Sequence, residues 1–261
     1  MKIYFLSDFH LGAPDYESSL VREKKIVSFL DSIKNDASEI YLLGDVFDFW
    51  FEYRKAVPRG YVRLLGKLAE LSDAGIKLHY FIGNHDMWVF DYLPKELNVT
   101  LYRGIVTREI NGKKFYLAHG DGLGPGDSGY KFIKKVFASK VCQWLFARLH
   151  PNLGIGLAEF WSTKSRSITE EKHFHGDKEW LIVHSKKVLE KEHFDYLIYG
   201  HRHLPVDYRL TPTLSFGEGA FPPSGETGKG VTSRYINLGD WMNHFSYAVF
   251  DGNNLELKYY K

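Results

Sequence analysis

Several features that restrict a protein's function are scarce in this chain of 261 residues. The single cysteine, Cys142, excludes an intramolecular disulfide and favours a reducing compartment. The formal net charge is only +2, so no nucleic-acid partner is expected. No stretch approaches about 18 consecutive apolar residues, so the sequence predicts no transmembrane helix. The apolar run Ile3–Leu6 is too short for a signal peptide, so we expect a cytoplasmic protein. We also expect no obligate protein partner.

The first third of the chain alternates short apolar runs with amphipathic stretches. The apolar runs 3–6, 40–43 and 78–82 predict strands that are buried on both faces. Residues 17–34 and 59–74 have apolar positions at helical spacing and predict two helices. Strands that alternate with helices imply parallel pairing within one sheet.

Beyond residue 105 the pattern indicates antiparallel elements. Asn111-Gly112 between two β-like runs predicts a tight hairpin. Residues 215–230 are rich in Gly, Pro and Ser and predict a mobile loop. The other predicted elements here are a helix over 177–192 and strands at 196–199, 206–210, 234–238, 245–250 and 255–260. The fold class is therefore a mixed α/β architecture.

Polar motifs follow five of the predicted strands. They are Asp8-x-His10, Gly44-Asp45-x-x-Asp48, Gly83-Asn84-His85-Asp86, His119-Gly120-Asp121 and Gly200-His201-Arg202-His203. Ligands bind at the carboxyl ends of strands in open α/β sheets, so these side chains are expected to meet. Carboxylate, imidazole and amide groups suit Mn²⁺, Fe²⁺ or Zn²⁺. On extended backbone His201 and His203 would point to the same side and serve neighbouring ions. The alternative is that these are polar loop residues whose side chains are bonded to backbone. That alternative could account for any single motif, but it does not readily account for five motifs that all follow strands.

These five motifs, in this order, resemble those of the calcineurin-like metallophosphoesterases across nearly the whole chain. The resemblance implies a four-layer sandwich of two mixed β-sheets flanked by helices. It also implies two divalent cations, which we expect to be Mn²⁺, with Fe²⁺ or Zn²⁺ as alternatives. One ion would be held by Asp8, His10, Asp45 and His203, and the other by Asp45, Asn84, His119 and His201. Asp48 and Asp86 would orient these ligands.

Two such cations activate water as a nucleophile near neutral pH and neutralise charge on phosphoryl oxygens. The predicted catalytic residues are Asn84, His85 and Asp86. His85 follows a ligand and would protonate the leaving oxygen or bind the phosphate. The alternative for His85 is a residue that only completes the turn.

Residues 130–170 are predicted to form a helical lid inserted between two parts of the core, 1–129 and 171–261. From Gly122 to Ala158 the only acidic residue is Asp127, whereas five residues are Lys or Arg. An apolar stripe runs through the same stretch, formed by Ile133, Val136, Phe137, Val141, Trp144 and Leu145. A broad apolar face beside basic residues is typical of helices that bind lipid or a membrane surface. The alternative is a helix that packs on the core with its basic face in solvent.

Further segments resemble the bacterial UDP-2,3-diacylglucosamine diphosphatases of lipid A synthesis. These segments are 44–50, 119–123, 127–130, 201–205 and 238–241. The resemblance implies a peripheral enzyme on the cytoplasmic face of the inner membrane. Its substrate would be a lipid-linked UDP-sugar, cleaved at the pyrophosphate to UMP and 2,3-diacylglucosamine 1-phosphate. The implied substrate contacts are Trp50, Asn84, His85, Asp127, Tyr130, Ser162 and Lys164.

One position departs from this pattern, because those enzymes typically carry arginine where this chain has His85. Two hypotheses follow: a divergent branch with the same substrate, or a nucleotide pyrophosphatase or phosphodiesterase that acts on a soluble substrate. A third hypothesis is a non-catalytic scaffold with this fold, which would be expected to lack metal ligands. None of the expected ligands is missing.

Overall fold

The structure is a computed structural model that describes residues 1–125, 128–158, 173–210 and 232–261. Its strands are β1 (Lys2–Leu6), β2 (Ala37–Leu42), β3 (Lys77–Phe81), β4 (Thr100–Tyr102), β5 (Val106–Ile110), β6 (Lys113–Ala118), β7 (Tyr196–Tyr199), β8 (Pro205–Leu210), β9 (Ser233–Leu238), β10 (Ser246–Phe250) and β11 (Leu255–Tyr259). Its helices are α1 (Tyr16–Ile33), α2 (Val62–Asp73), α3 (Tyr92–Leu97), α4 (Ser128–Ala138), α5 (Lys140–Phe146) and α6 (Trp180–Leu189). Residues 151–158 are also helical.

The strands form two mixed sheets. The first has the order β11-β10-β1-β2-β3-β4, and β1, β2 and β3 pair in parallel as the strand–helix alternation predicts. The second has the order β5-β6-β7-β9-β8. The hairpin of β5 and β6 turns at Asn111 and Gly112, whose φ angles of 49° and 73° match the predicted turn.

Alternating side chains of the strands build three cores between four layers. On β1, Tyr4 and Leu6 pack with the helices outside the first sheet. The opposite face of β1 points toward the second sheet, and the rings of Phe5 and Phe115 stack 5.9 Å apart between the sheets. The outer face of the second sheet packs against α6, through residues such as Leu181. The predicted four-layer sandwich is therefore confirmed.

The start of α2 depends on a residue that is distant in sequence. Helix α2 begins at Val62 rather than at the predicted residue 59, because Tyr61 has a left-handed φ of 58°. The Glu23 carboxylate of α1 accepts hydrogen bonds from the backbone N–H groups of Arg63 and Leu64, at 2.9 and 3.0 Å. This contact satisfies amides that a local cap would otherwise bind.

Two other predicted helices are interrupted. The helix predicted over 177–192 is a 3₁₀ turn at Gly176–Lys178 followed by α6, with Glu179 non-helical between them. The apolar stripe of the predicted lid is broken at Ser139, which separates α4 from α5. The predicted loop at 215–230 lies outside the described residues. Within the described ranges, no helix is both long and apolar enough to cross a bilayer.

Candidate metal centre

The predicted metal ligands follow β1, β2 and β3 of the first sheet and β6 and β7 of the second. Five of them stand on backbone with a positive φ, between 44° and 68°: Asp8, His10, Asp45, His201 and His203. Such conformations in non-glycine residues cost roughly 1–3 kcal/mol each and concentrate at functional sites. The prediction of extended backbone at His201 and His203 is therefore wrong, although their two imidazoles do reach neighbouring positions.

One group of side chains contains Asp8, His10, Asp45 and His203. The Nε2 atoms of His10 and His203 are 3.0 Å apart. Asp8 Oδ1 lies 3.2 Å from His203 Nε2, and Asp45 Oδ2 lies 3.7 Å from His10 Nε2. Two imidazole nitrogens and two carboxylates therefore point at one small volume, as the first predicted ion site requires.

The second group shares Asp45 and adds His119 and His201. His119 Nε2 lies 3.2 Å from Asp45 Oδ2 and 3.2 Å from the amide oxygen of Asn84. Burial and the neighbouring His119 lower the pKa of His201 to about 4, which leaves this imidazole neutral and able to ligate at neutral pH. Asp45 stands between the two groups, where a bridging carboxylate is expected.

The charges of the site fit divalent cations. Asp8 and Asp45 are 0% and 1% exposed, and buried carboxylates need nearby positive charge. Burial by itself would lower the pKa of His10, but its hydrogen bonds to Asp48 and Asp8 raise it to about 10. Burial by itself would also lower the pKa of His119, but the neighbouring Asp45 raises it to about 10. The carboxylates thus favour positive charge at both imidazoles, which is the charge that divalent cations would bring, and the carboxylate and imidazole donors suit such ions.

Asp48 connects the first group to His85. Its carboxylate lies 3.3 Å from His10 Nδ1, which orients that imidazole as predicted. Its backbone carbonyl accepts a hydrogen bond of 3.0 Å from His85 Nδ1. The proton is thus on Nδ1, and Nε2 is the nitrogen of His85 that would act on a substrate. Burial lowers the pKa of His85, and its ring lies edge-on to His10 with 4.8 Å between the ring centroids.

Asp86 binds backbone amides of two neighbouring loops. Its carboxylate accepts hydrogen bonds from the backbone amides of Val46 and Gly83, at 2.9 and 2.6 Å, and from the Tyr80 hydroxyl at 2.5 Å. Burial raises the pKa of Asp86 to about 6. These contacts join the loops after β2 and β3 and involve no imidazole. The predicted alternative, in which Asp86 orients Asn84, stays a prediction.

Two arrangements near the ligands were not predicted from the sequence. Arg22 of α1 donates hydrogen bonds to the carbonyl oxygens of His10, at 2.6 Å, and Ala13, which anchors the loop after β1. Asp121 accepts hydrogen bonds of 2.6 Å from the Tyr130 hydroxyl and from Lys134, which anchors α4 beside the loop of His119. The motif His119-Gly120-Asp121 marked Asp121 but gave no partner for it.

The predicted substrate contacts have mixed outcomes. Trp50 is fully buried: its ring stacks on Phe47, and its Nε1 donates to Glu52 Oε1 at 3.1 Å. It therefore belongs to the core and not to a groove mouth. Tyr130 lies at the site, with 6.5 Å between its ring centroid and that of His201. Three further predicted contacts lie outside the described residues: Asp127, Ser162 and Lys164.

Helices α4 and α5 dock through one set of apolar side chains and expose another. The docked side chains include Phe137 and Phe146, whose ring centroids lie 5.3 and 4.7 Å from that of Trp88. Trp88 also donates to the Phe137 carbonyl at 2.8 Å. The exposed apolar side chains are Phe132, Ile133, Val136, Val141, Trp144, Leu145, Leu153 and Leu157. Leu153 and Leu157 belong to the helical residues 151–158, and the other six to α4 and α5. Clusters of exposed apolar side chains are typical of surfaces that bind lipid or another protein.

Comparison with known proteins identifies relatives over nearly the full chain. A family model described as Calcineurin-like phosphoesterase matches residues 1–205. A UDP-2,3-diacylglucosamine hydrolase from Porphyromonas gingivalis is 38% identical and covers 98% of this chain and 97% of its own length. Hydrolases of the same name from Aeromonas hydrophila and Tolumonas auensis are 28% and 26% identical, covering 95% and 97% of this chain and 94% of each relative. Among solved structures, the E. coli phosphoesterase Yfce has a TM-score of 0.44 at 17% identity, covering 99% of this chain and 93% of its own, which is too weak to inform function.

The matched residues 1–205 contain all the predicted metal ligands, from Asp8 to His203. The fold also agrees with the one that the sequence motifs implied, because two mixed sheets meet at the edge where those ligands converge. On this evidence, the chain belongs to the calcineurin-like phosphoesterase family.

Proposed function

We propose that this chain is a metal-dependent hydrolase that cleaves the pyrophosphate of UDP-2,3-diacylglucosamine to UMP and 2,3-diacylglucosamine 1-phosphate. The observation that carries the proposal is the convergence of two ligand groups on Asp45, next to helices with an exposed apolar surface. The similarity to named UDP-2,3-diacylglucosamine hydrolases over nearly the full chain supports the substrate.

The residues that would hold the cations are those of the two groups. Asp8, His10, Asp45 and His203 would hold one, and Asp45, Asn84, His119 and His201 the other. We propose Mn²⁺ as the native ion, as the family resemblance implies. Fe²⁺ and Zn²⁺ are the alternatives, because carboxylate and imidazole ligands suit all three ions. When bound, a pair of such ions activates water and neutralises charge on the phosphoryl oxygens.

The chain's own groups position the substrate beside the ions. His85 lies in the mouth of the site with its side chain 11% exposed, and its Nε2 would contact a phosphate oxygen. Asp48 fixes the His85 ring by the hydrogen bond to Nδ1, which keeps the contact directed. Asn84 would contribute its amide oxygen to a cation and help orient the phosphate.

The apolar helices would bind the acyl chains. We propose that the segment 130–170 is a lid whose exposed apolar side chains contact the two acyl chains and hold the enzyme on the inner-membrane surface. The contacts of Asp121 with Tyr130 and Lys134 hold α4 beside the loop of His119, which supports this proposal. Asp127, Tyr130, Ser162 and Lys164 would contact the head group, as the family resemblance implies.

The test is release of UMP from UDP-2,3-diacylglucosamine by metal-free enzyme to which Mn²⁺ is added back. We expect Mn²⁺ to restore turnover, and Asp45→Ala to reduce kcat/KM at least about a hundredfold because it removes the shared ligand. A matched control is Asp31→Ala, which removes an exposed carboxylate of α1. Equal activities of the two variants, or no turnover with Mn²⁺ present, would refute the proposal.

A soluble substrate is the main competing outcome, and the departure at His85 is the observation that favours it. An acylated substrate requires detergent for full turnover, whereas a soluble nucleotide pyrophosphate does not. Faster hydrolysis of soluble nucleotide pyrophosphates than of UDP-2,3-diacylglucosamine in detergent would keep the metal chemistry and replace the substrate.

A further inference from the structure

Arg202 stands between two ligands but points away from the ligand groups. Its Nε atom donates to Glu179 Oε1 at 2.7 Å, and its Nη2 donates to Glu179 Oε2 at 3.2 Å. The two side chains are 11% and 2% exposed, so the ion pair is shielded from solvent. A two-point contact between a guanidinium and a carboxylate fixes direction as well as distance.

The loop that carries Arg202 is strained. His201 and His203 have φ angles of 68° and 53°, and non-glycine residues keep such values only where their surroundings hold them. Two contacts hold the start of the loop: Asn237 Nδ2 donates to the Gly200 carbonyl at 2.6 Å, and the His201 amide donates to the Asp8 carboxylate. The ion pair between Arg202 and Glu179 holds the middle of the loop.

The other end of this contact lies on a separate part of the chain. Glu179 directly precedes α6, and Arg202 Nη2 also donates to the carbonyl oxygen of His173 at 3.2 Å. The ring of Trp180, the first residue of α6, lies edge-on to His201 with 5.8 Å between the centroids. Arg202 thus joins the ligand loop to residues 173–180, where the described chain resumes after the predicted lid.

We propose that Arg202 is a positioning residue. Through its ion pair with Glu179 it holds the His203 imidazole at the first ion site and the His201 imidazole at the second. The inference rests on the metal-dependent function proposed above. We expect loss of the ion pair to weaken metal binding, because the metal would then have to order the loop when it binds, which lowers the net free energy of binding.

The test is titration of metal-free protein with Mn²⁺, with free Mn²⁺ measured by electron paramagnetic resonance. We expect Arg202→Met to raise the Mn²⁺ dissociation constant about tenfold, and Arg202→Lys, which keeps the charge without the fork, to have a smaller effect. The matched control is Arg234→Met, which removes another arginine that pairs with a carboxylate, that of Asp207, with 3.0 Å between Nε and Oδ1. Arg234 lies near the start of β9, at the edge of the sheet opposite to the strand ends that carry the candidate ligands. The Mn²⁺ affinity of the Arg234→Met variant should therefore match that of the unmodified protein.

Arg202→Met leaves the buried Glu179 unpaired and can therefore destabilise the fold. The double variant Arg202→Met with Glu179→Met removes both charges and gives the same test in a folded protein. Unchanged Mn²⁺ affinity in the folded single or double variant would overturn the inference while leaving the proposed function intact. Absence of Mn²⁺ binding by the unmodified protein would instead refute the proposed function itself.

Discussion

At the scale of single residues, Gly200 shows how closely the motifs pack. A Cβ atom at Gly200 would overlap Ser7 Oγ and lie 2.5 Å from Asp8 Oδ2. Gly83 is equally restricted, because its Cβ would lie 2.6 Å from the Asp45 amide nitrogen. The glycines in the sequence motifs are thus the residues that let two ligand loops approach each other.

Gly200→Ala is therefore expected to displace Asp8 and to lower Mn²⁺ affinity at least tenfold, because about 1.4 kcal/mol of strain at a ligand has that effect. The matched control is Gly66→Ala in α2, where an added Cβ meets nothing within 4 Å. That change should leave Mn²⁺ affinity unaltered and stabilise the helix by about 0.5–1 kcal/mol. Mn²⁺ titration and urea unfolding of both variants check the two expectations, and equal Mn²⁺ affinities would contradict the first.

A second prediction at this scale concerns His85. The leaving group of the proposed reaction is a sugar phosphate, whose second pKa near 6 lets it depart without a proton at neutral pH. His85 should therefore serve as a phosphate contact, so His85→Arg should keep kcat/KM within about tenfold while His85→Ala loses roughly 10–100-fold. Steady-state kinetics on UDP-2,3-diacylglucosamine measure this. If His85→Arg were as impaired as His85→Ala, a proton-donor role would be indicated instead.

The convergence of the candidate ligands was predictable from the sequence, because each follows an apolar run that predicts a buried strand. Arg22 and Glu179 were not predictable. Arg22 lies 12 residues beyond His10 in a helix where an arginine is expected to face solvent. Glu179 contacts Arg202 across 23 residues that include α6 and β7. Both contacts depend on how whole elements pack, which local patterns do not encode.

At the scale of elements, the apolar side chains of α4 and α5 divide into a docked set and an exposed set. The sequence stripe joined Phe137 with Trp144, but Phe137 packs on Trp88 while Trp144 is 56% exposed. The break at Ser139 causes this, since it changes the direction of the chain between the two helices. Lipid contact is therefore expected from Trp144 and Leu145 and not from Phe137.

Replacing Trp144 and Leu145 together by Ser should lower kcat/KM for UDP-2,3-diacylglucosamine at least about tenfold, because each loses apolar contact area with an acyl chain. Hydrolysis of bis-p-nitrophenyl phosphate should not change. The control Phe137→Ser removes a docked ring and should destabilise the fold by roughly 2 kcal/mol, impairing both substrates. Equal losses on both substrates in the Trp144 and Leu145 variant would mean that these side chains only support the structure.

Element boundaries were less predictable than the elements themselves. Helix α3 and strand β4 were missed because α3 has only six residues and contains a proline. Its start is held by Glu52, whose carboxylate accepts from the amides of Asp91 and Tyr92 at 2.7 and 3.1 Å. As with Glu23 at α2, the cap comes from a distant segment, and no local rule would find it.

At the scale of the whole molecule, the candidate centre lies between the two sheets. The first sheet contributes Asp8, His10, Asp45 and Asn84, and the second contributes His119, His201 and His203. Bound cations would therefore connect the two sheets, in addition to their apolar core and to hydrogen bonds such as that from the His201 amide to the Asp8 carboxylate. Ligands that bind only the folded state stabilise it in proportion to the logarithm of their concentration.

Addition of Mn²⁺ at about 100 times its dissociation constant should stabilise the folded protein by about 2.7 kcal/mol, which corresponds to roughly 5–10 °C in Tm for a chain of this size. Differential scanning calorimetry at several Mn²⁺ concentrations measures the shift. Asp45→Ala should show a much smaller shift, because it lacks the ligand shared by both groups. A Tm that does not respond to Mn²⁺ would argue against metals that join the two sheets.

The bond from the His201 amide to the Asp8 carboxylate spans 193 residues of the sequence. During synthesis on the ribosome, the amino-terminal ligands are thus made long before their partners exist. Until the segment around residue 203 has left the exit tunnel, a nascent chain has only three of the four proposed ligands of each ion site. If these residues hold cations as proposed, complete ion sites would form only late in maturation, after the chain segments on either side of residue 200 have folded together.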